Sequence, residues 1–388
     1  MMTTSRTYGI DDINYLVKAG AESHVFFNHV GYLQEPSNAA YLSASMDINF
    51  EVLDRRSRIV IGGKQIAEDD TTVRSGFYWN EFYWLTEFDG FDVTLGKAKQ
   101  YWGIMETRNL VDVINTTDYL QGYNSTEKLA QNMFKVGIPS GSSQLDLYLL
   151  EGGEPRQFYE QATRFEPLEV ADTPRYSAQT SHSDMDLAAR YWYYDDNLEI
   201  AFTLFKGTTR TPLIIEEESR NVPYYYEIFQ QGLELLFVDD RTLYKLEAVS
   251  VKGDGDDDDF VGASLGVEYA ISRFFRKSDL TLVGEYHLDD KDERSAMVSF
   301  DDYVMLGGLM SFNDVYLSTF RVGVTFLRDD LDHYFYTLEG DIGLHEKVRL
   351  KVSGTFAGSE TIPAYIENED NPKAQPLEFI YLALEYAF

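Results

Sequence analysis

From Tyr41 to Val52 the chain alternates apolar and polar side chains at every residue. Leu42, Ala44, Met46, Ile48, Phe50 and Val52 form one series, and Ser43, Ser45, Asp47, Asn49 and Glu51 fill the gaps. Successive side chains of a β-strand point to opposite faces, so this period of two predicts a long strand with one apolar and one polar face. The pattern returns near the end, where Val348, Leu350, Val352, Gly354 and Phe356 interleave with Arg349, Lys351, Ser353 and Thr355. It closes the chain as PLEFIYLALEYAF, with Ile380, Leu382, Leu384, Tyr386 and the terminal Phe388 on one face.

Segments of about ten residues with this character are predicted to begin near Ala21, Ala40, Arg58, Phe77, Phe91, Leu129, Gln144, Met185 and Leu198. Further ones begin near Tyr224, Thr242, Phe260, Asp279, Tyr303, Tyr316, Tyr334, Val348 and Leu377, which makes eighteen, with sixteen the main alternative count. Their connections alternate in length. Asp54-Arg55-Arg56-Ser57, Pro139 to Ser143, Asp195-Asp196-Asn197, Asp239-Asp240-Arg241, Asn313-Asp314 and His345-Glu346-Lys347 are compact polar turns. Between them lie long stretches at about 100–128, 151–183, 207–222, 253–259, 289–300 and 358–376. Short turns at one end and long loops at the other are the layout of a transmembrane barrel, whereas a sandwich has no reason to keep this rhythm and a propeller would repeat a motif. The expected fold class is therefore all-β: a closed antiparallel up-and-down transmembrane β-barrel. It forms one domain over residues 1–388, with 1–16 a short periplasmic or disordered lead.

Composition sharpens this. Apolar residues are 44% of the chain, yet no uninterrupted apolar run reaches the length of about 18 residues that a transmembrane helix needs. Aromatic residues are 15%, which suits strands and interfacial girdles. Cysteine is absent, so disulfides, thiol nucleophiles and thiolate metal sites are excluded. A net charge of −32 argues against nucleic acid, whose phosphates call for a surplus of Lys and Arg. The start, MMTTSRTYGIDD, has no basic segment followed by an apolar one, so a mature or recombinant form with its secretory signal replaced is expected.

Little enzyme chemistry is visible. His24, His29, His182, His287, His333 and His345 form no HExxH motif, no Gly-x-Ser-x-Gly elbow is present, and no cofactor is expected. Glu285, His287 and Ser264 fall on one face of neighbouring strands, a coincidence common among polar inward positions. The run from Gly253 to Asp259 offers hard oxygen ligands at Asp254, Asp256 and Asp258 but lacks EF-hand spacing, and it reads as a solvated outer loop or one bridged to lipopolysaccharide by divalent ions. Strand parity assigns eleven acids to the inner wall: Asp47, Glu51, Asp146, Asp186, Glu199, Glu247, Glu268, Glu285, Glu339, Asp341 and Glu385. It assigns five bases: Arg190, Lys245, Arg321, Arg349 and Lys351. That excess predicts a modest preference for cations.

In architecture the chain resembles the bacterial porins. The segment GKAKQYWG, Gly96 to Gly103, is similar to the strand-to-loop piece of porin-like families in which a glycine precedes a Trp-Gly pair. The resemblance implies that the third outer loop, about 100–128, folds into the lumen, with Gly96, Trp102 and Gly103 anchoring it. Arg108, Asp112, Asp118 and Tyr119 would then stand at the constriction. It also implies a channel in the Gram-negative outer membrane for passive diffusion of small hydrophilic solutes, either a homotrimer or a monomer. Lipids and lipopolysaccharide would surround it, and Phe388 would present it to the barrel-assembly machinery. The alternative is an outer-membrane partner or receptor of an envelope export or lipid-handling system, which the Tyr-rich stretches Tyr191-Trp192-Tyr193-Tyr194 and Tyr224-Tyr225-Tyr226 slightly favour.

Overall fold

Alternation of apolar and polar side chains produces strands almost throughout the computed structural model. The described residues are 12–26, 40–54, 56–68, 76–118, 127–158, 170–178, 180–181, 184–217, 219–254, 259–291, 302–328, 334–357 and 378–388. The strands run β1 (Asp12–Phe26), β2 (Ala40–Asp54), β3 (Ser57–Glu68), β4 (Gly76–Phe88), β5 (Phe91–Ala98), β6 (Gln131–Ser140) and β7 (Ser143–Glu151). They continue as β8 (Arg175–Tyr176), β9 (Met185–Tyr194), β10 (Leu198–Thr208), β11 (Leu213–Glu217), β12 (Arg220–Tyr225), β13 (Glu227–Asp239) and β14 (Thr242–Gly253). The last are β15 (Phe260–Phe275), β16 (Ser278–Asp289), β17 (Asp302–Ser311), β18 (Thr319–Leu327), β19 (Tyr334–His345), β20 (Val348–Ala357) and β21 (Phe379–Ala387). Among the described residues no helix is long and apolar enough to cross a membrane.

The main sheet has 18 strands, all antiparallel, each paired with its neighbours in chain order once β8, β11 and β12 are set aside. The last strand pairs with the first, Lys18 opposite Ala387 and Phe26 opposite Phe379. Every strand of this sheet is thus hydrogen-bonded on both sides and the sheet has no free edge. The other three strands form a small sheet in the two long connections on either side of β9 and β10, with β11 antiparallel to β12 and β12 parallel to β8.

Three features correct the sequence reading. Among the described residues there are 21 strands, three beyond the eighteen expected, because β8 falls in the stretch read as a loop at 151–183 and most of the β11–β12 hairpin in the one at 207–222. Its segment LIIEEESRNVPYYY lacks strict alternation and carries Pro223, which hid it. The sheet strands expected near Tyr224 and Tyr316 start instead at Glu227 and Thr319. Tyr316 belongs to a turn organised by Asp314, which accepts hydrogen bonds from the Tyr316 and Ser318 N–H groups at 3.1 and 2.8 Å. The first strand starts at Asp12, not near Ala21, so the expected lead over 1–16 is partly strand; Leu16 among the inward positions interrupts the alternation there.

The two faces of the sheet are opposite in character to those of a water-soluble protein. Outward positions carry exposed Leu147, Leu149, Leu187, Phe202, Leu204, Leu265, Val267, Leu306, Val322, Leu382 and Leu384. Inward positions carry buried Asp146, Thr203, Glu234, Lys245, Glu247, Ser264, Glu285 and His287. An apolar belt outside and polar groups inside are what a barrel in hydrocarbon requires. Rings such as Phe237 and Tyr244, stacked with centroids 6.3 Å apart, sit toward the tight-turn end, where amphipathic side chains meet headgroups.

Candidate functional site: the segment after β5 and the wall beneath it

The chain leaves the wall after Ala98, with Gly96 near the end of β5 and Gly103 in the segment beyond it taking φ of +130° and +103°, conformations that disfavour any side chain. A Cβ at Gly96 would come within 2.8 Å of the Tyr83 Cα, and one at Gly103 would collide with the Asn109 side chain. Trp102 is 2% exposed and meets Tyr148 of β7 edge-on at 5.7 Å. Asn115 ties the departing and returning legs together: its Oδ1 accepts from the Gln100 N–H at 2.8 Å, and its Nδ2 donates to the Ala98 and Leu129 carbonyls at 3.1 and 2.8 Å. Val111, Val113 and Ile114 pack with Met133, Leu150, Phe205, Val249 and Val251 in the largest apolar cluster, on the inner side of the sheet.

Two wall carboxylates hold the middle of the segment. Glu247 of β14 accepts from the N–H groups of Ile104 and Met105 on Oε1, at 2.6 and 3.3 Å, and from those of Leu110 and Val111 on Oε2, at 2.7 and 3.4 Å. Glu285 of β16 accepts from the N–H groups of Glu106 and Thr107 at 2.6 and 3.1 Å, and from the Thr107 hydroxyl at 2.5 Å. An ionised carboxylate accepts about four hydrogen bonds, so each anchor is well filled by groups that could not pair with a strand. Both are sealed from solvent, at 0% and 3% exposure. Flanking contacts extend the attachment: Gln230 Nε2 donates to the Val111 carbonyl at 3.1 Å, and Arg210 Nε to that of Ile114 at 2.9 Å. Tyr101 near its start and the tip, Glu106 and Thr107, remain exposed. Glu106 pairs with Arg321 of β18 at 3.1 Å and approaches Lys245 of β14 at 3.5 Å.

The residues expected at the constriction have separate fates. Arg108 is paired with Asp289 at 2.6 Å, its side chain nearly buried. Asp112 is paired with Lys128 at 3.1 Å, and burial still pushes its carboxyl above the ordinary range. The Asp118 N–H donates to the Glu127 carbonyl at 2.9 Å where the segment returns, and Tyr119 lies outside the described residues. Beside Arg108, burial and that guanidinium push Lys291 down to about 8. Of the calcium candidates, Asp254 directly follows β14, while Asp256 and Asp258 lie outside the described residues.

Inner acids of this half have partners too: Asp186 with Arg210 at 2.7 Å, Glu234 with Arg190 at 2.7 Å, Asp146 with Lys135 at 3.0 Å, and Glu268 with Lys245. Glu234, Lys135 and Glu106 escaped the sequence reading; period-two parity would have found the first, and nothing local marks the last. On β18 to β21 the inner face is more open, and its charges pair with one another. Arg321 lies 4.0 Å from Glu339, Arg349 2.7 Å from Asp341 and Lys351 2.6 Å from Glu385. Asp47 stands in register between Lys18 and Lys64, and Glu51 between Asn14 and Val60.

Ser264, His287 and Glu285 do come together. The Ser264 hydroxyl is 2.7 Å from His287 Nδ1, and Nε2 is 3.2 Å from Glu285 and 2.9 Å from the Thr107 hydroxyl, with Tyr303 stacked on the imidazole at 4.5 Å. Ser264 and His287 are both 0% exposed beneath the segment, which leaves a nucleophile no access to substrate.

This edgeless antiparallel sheet has counterparts in fold among solved structures. The architecture is that of a porin-like β-barrel. The BenF-like porin from Pseudomonas fluorescens Pf-5 superposes with a TM-score of 0.59 at 10% identity, over 98% of this chain and 99% of that one. OccK8 (OprE) of Pseudomonas aeruginosa gives 0.57 at 10% identity, over 98% of each chain. Wzi, an outer-membrane protein of Escherichia coli described as a carbohydrate-binding β-barrel involved in group 1 capsule assembly, gives 0.54 at 10% identity, over 96% of this chain and 84% of that one. No family model matches the chain, and no curated protein matches its sequence. None of the three structures is named as an enzyme. At such identity the likeness is one of fold.

Proposed function

We propose that the chain is a porin-like channel of the Gram-negative outer membrane, through which small hydrophilic solutes diffuse past an aperture set by residues 99–118. The observation that carries this reading is the pair of wall carboxylates, Glu247 and Glu285, holding six backbone N–H groups of that segment against the inner face. A barrel of this strand number leaves a lumen wide enough for water unless something narrows it. Single-channel conductance in planar bilayers tests the proposal: deletion of residues 104–118 raises it several-fold, and an unchanged value overturns the constriction.

A modest cation preference is part of this reading. Its source is the net charge of −32 more than the wall acids, since many of those are engaged by loop or wall partners. Anion-selective reversal potentials would reject it. The likeness to Wzi supports a second reading, an outer-membrane partner or receptor of an envelope export or lipid-handling system. A folded barrel that does not conduct, with the segment present or deleted, would favour that reading over the channel.

A further inference from the structure

One hairpin tip at the tight-turn end differs from the rest. The turn after β2 carries Arg55 and Arg56, with Arg56 paired to Asp89 at 2.7 Å, and those after β4, β9, β13, β17 and β19 carry Asp89, Asp195 and Asp196, Asp240 beside Arg241, Asp314, and Glu346 beside Lys347. The turn after β6 is Gly141-Ser142, without charge. The β15–β16 tip reads Arg273-Phe274-Phe275-Arg276-Lys277, and every one of these residues is exposed. Its rings are 54% and 58% exposed, and the Arg276 guanidinium lies over the Phe275 ring at 5.3 Å.

The tip also reaches further than its neighbours. Pairing of β14 with β15 ends at Thr242 opposite Tyr269, so residues beyond Tyr269 project past the adjacent hairpin. The projection is held in shape. Arg273 and Arg276 both take φ of +56°, the Arg273 N–H donates to Asp279 at 2.7 Å, and Asn313 of the next turn donates to the Lys277 carbonyl and to Asp279, both at 2.8 Å. That braced neighbour adds Val315 and Leu317, 91% and 74% exposed.

We propose that this tip binds an anionic phospholipid of the periplasmic leaflet, the rings and aliphatic side chains entering at acyl-chain depth and Arg273, Arg276 and Lys277 meeting the phosphate. Exposed rings interleaved with cations suit the headgroup region, where both find partners. The neighbouring acid, Asp279, already accepts from the Arg273 N–H and from Asn313, and the exposed tip gathers three cations on a protein whose net charge is −32. The proposal rests on the channel reading for which end faces the periplasm.

Native mass spectrometry of the full chain, released from micelles containing equal amounts of dioleoylphosphatidylglycerol and dioleoylphosphatidylethanolamine, tests it. The wild type is expected to retain the anionic lipid preferentially, and R273Q/R276Q/K277Q to lose roughly tenfold or more of that preference. The variant R273K/R276K keeps it. If the triple variant does not fold, R276Q and K277Q singly carry the test, each with a smaller loss. Equal retention of the two lipids by the wild type, or an unchanged preference in the glutamine variants, overturns the proposal and points to a protein occupant of the tip. Bilayer conductance of the same wild-type preparation reports separately on the channel reading.

Discussion

The walls beneath and away from the β5–β6 segment are built from the same side chains by the same alternation, yet they use them differently. On β13 to β16, Glu234, Glu247 and Glu285 are at most 3% exposed and are held by Arg190 or by loop backbone. On β18 to β21, Arg321, Glu339, Asp341, Arg349 and Lys351 stay a third or more exposed and pair across the open face. An inward carboxylate is therefore not by itself a pore charge. Where a loop lies over it, it becomes a fastening for N–H groups; where none does, it stays exposed on the open inner face.

Removing the chief fastening gives one of the two largest effects. Glu247→Ala leaves the Ile104, Leu110 and Val111 N–H groups without an acceptor, while Met105 keeps Asn109 Oδ1 at 2.8 Å, a loss of about 3 kcal/mol at roughly 1 kcal/mol for each buried donor. Urea unfolding and tryptic cleavage after Arg108 should both report it, and a protected Arg108 at an unchanged midpoint would erase the distinction between the walls. Next, Arg210→Met strands the buried Asp186 carboxylate and should cost about 3–4 kcal/mol in the same assay. An equal loss on the open face would contradict the comparison. There, Glu339→Gln should change stability by less than about 1 kcal/mol, because an exposed pair contributes little, while moving the reversal potential away from cations.

A pH dependence is expected at Lys291. Its value is depressed from 10.5 to about 8, so the folded state disfavours the charged amine. That penalty is complete below about 8 and gone above 10.5, and stability should rise with pH between them. Lys291→Met should flatten this rise in thermal unfolding measured across that range; a slope that persists in the variant would assign it to another group.

How much was legible differs by feature. Strand starts at Ala40, Phe91, Met185, Leu198, Thr242, Phe260, Tyr334 and Val348 coincide with those read from alternation, since a half-lipid, half-lumen strand states its faces residue by residue. The approach of Ser264 to His287 was legible as well, because the two are register partners in consecutive strands. The small β8–β11–β12 sheet was not, for it faces no lipid and follows no strict period.

The sequence by itself determined the strand pattern, the short and long ends, and the inward set of polar residues, all of which follow from local periodicity. Which of those polar residues stay exposed on the inner face and which hold the segment was decided only in three dimensions. Glu247 reaches N–H groups 143 residues away in the chain, and a backbone donor is the same at every non-proline residue, so it leaves no mark in the letters. Arg108 and Asp112 illustrate the same limit: their charges suggested a pore lining, and the fold directs both to buried partners. Folding the segment against one wall chose the open face, and with it the charges the lumen presents.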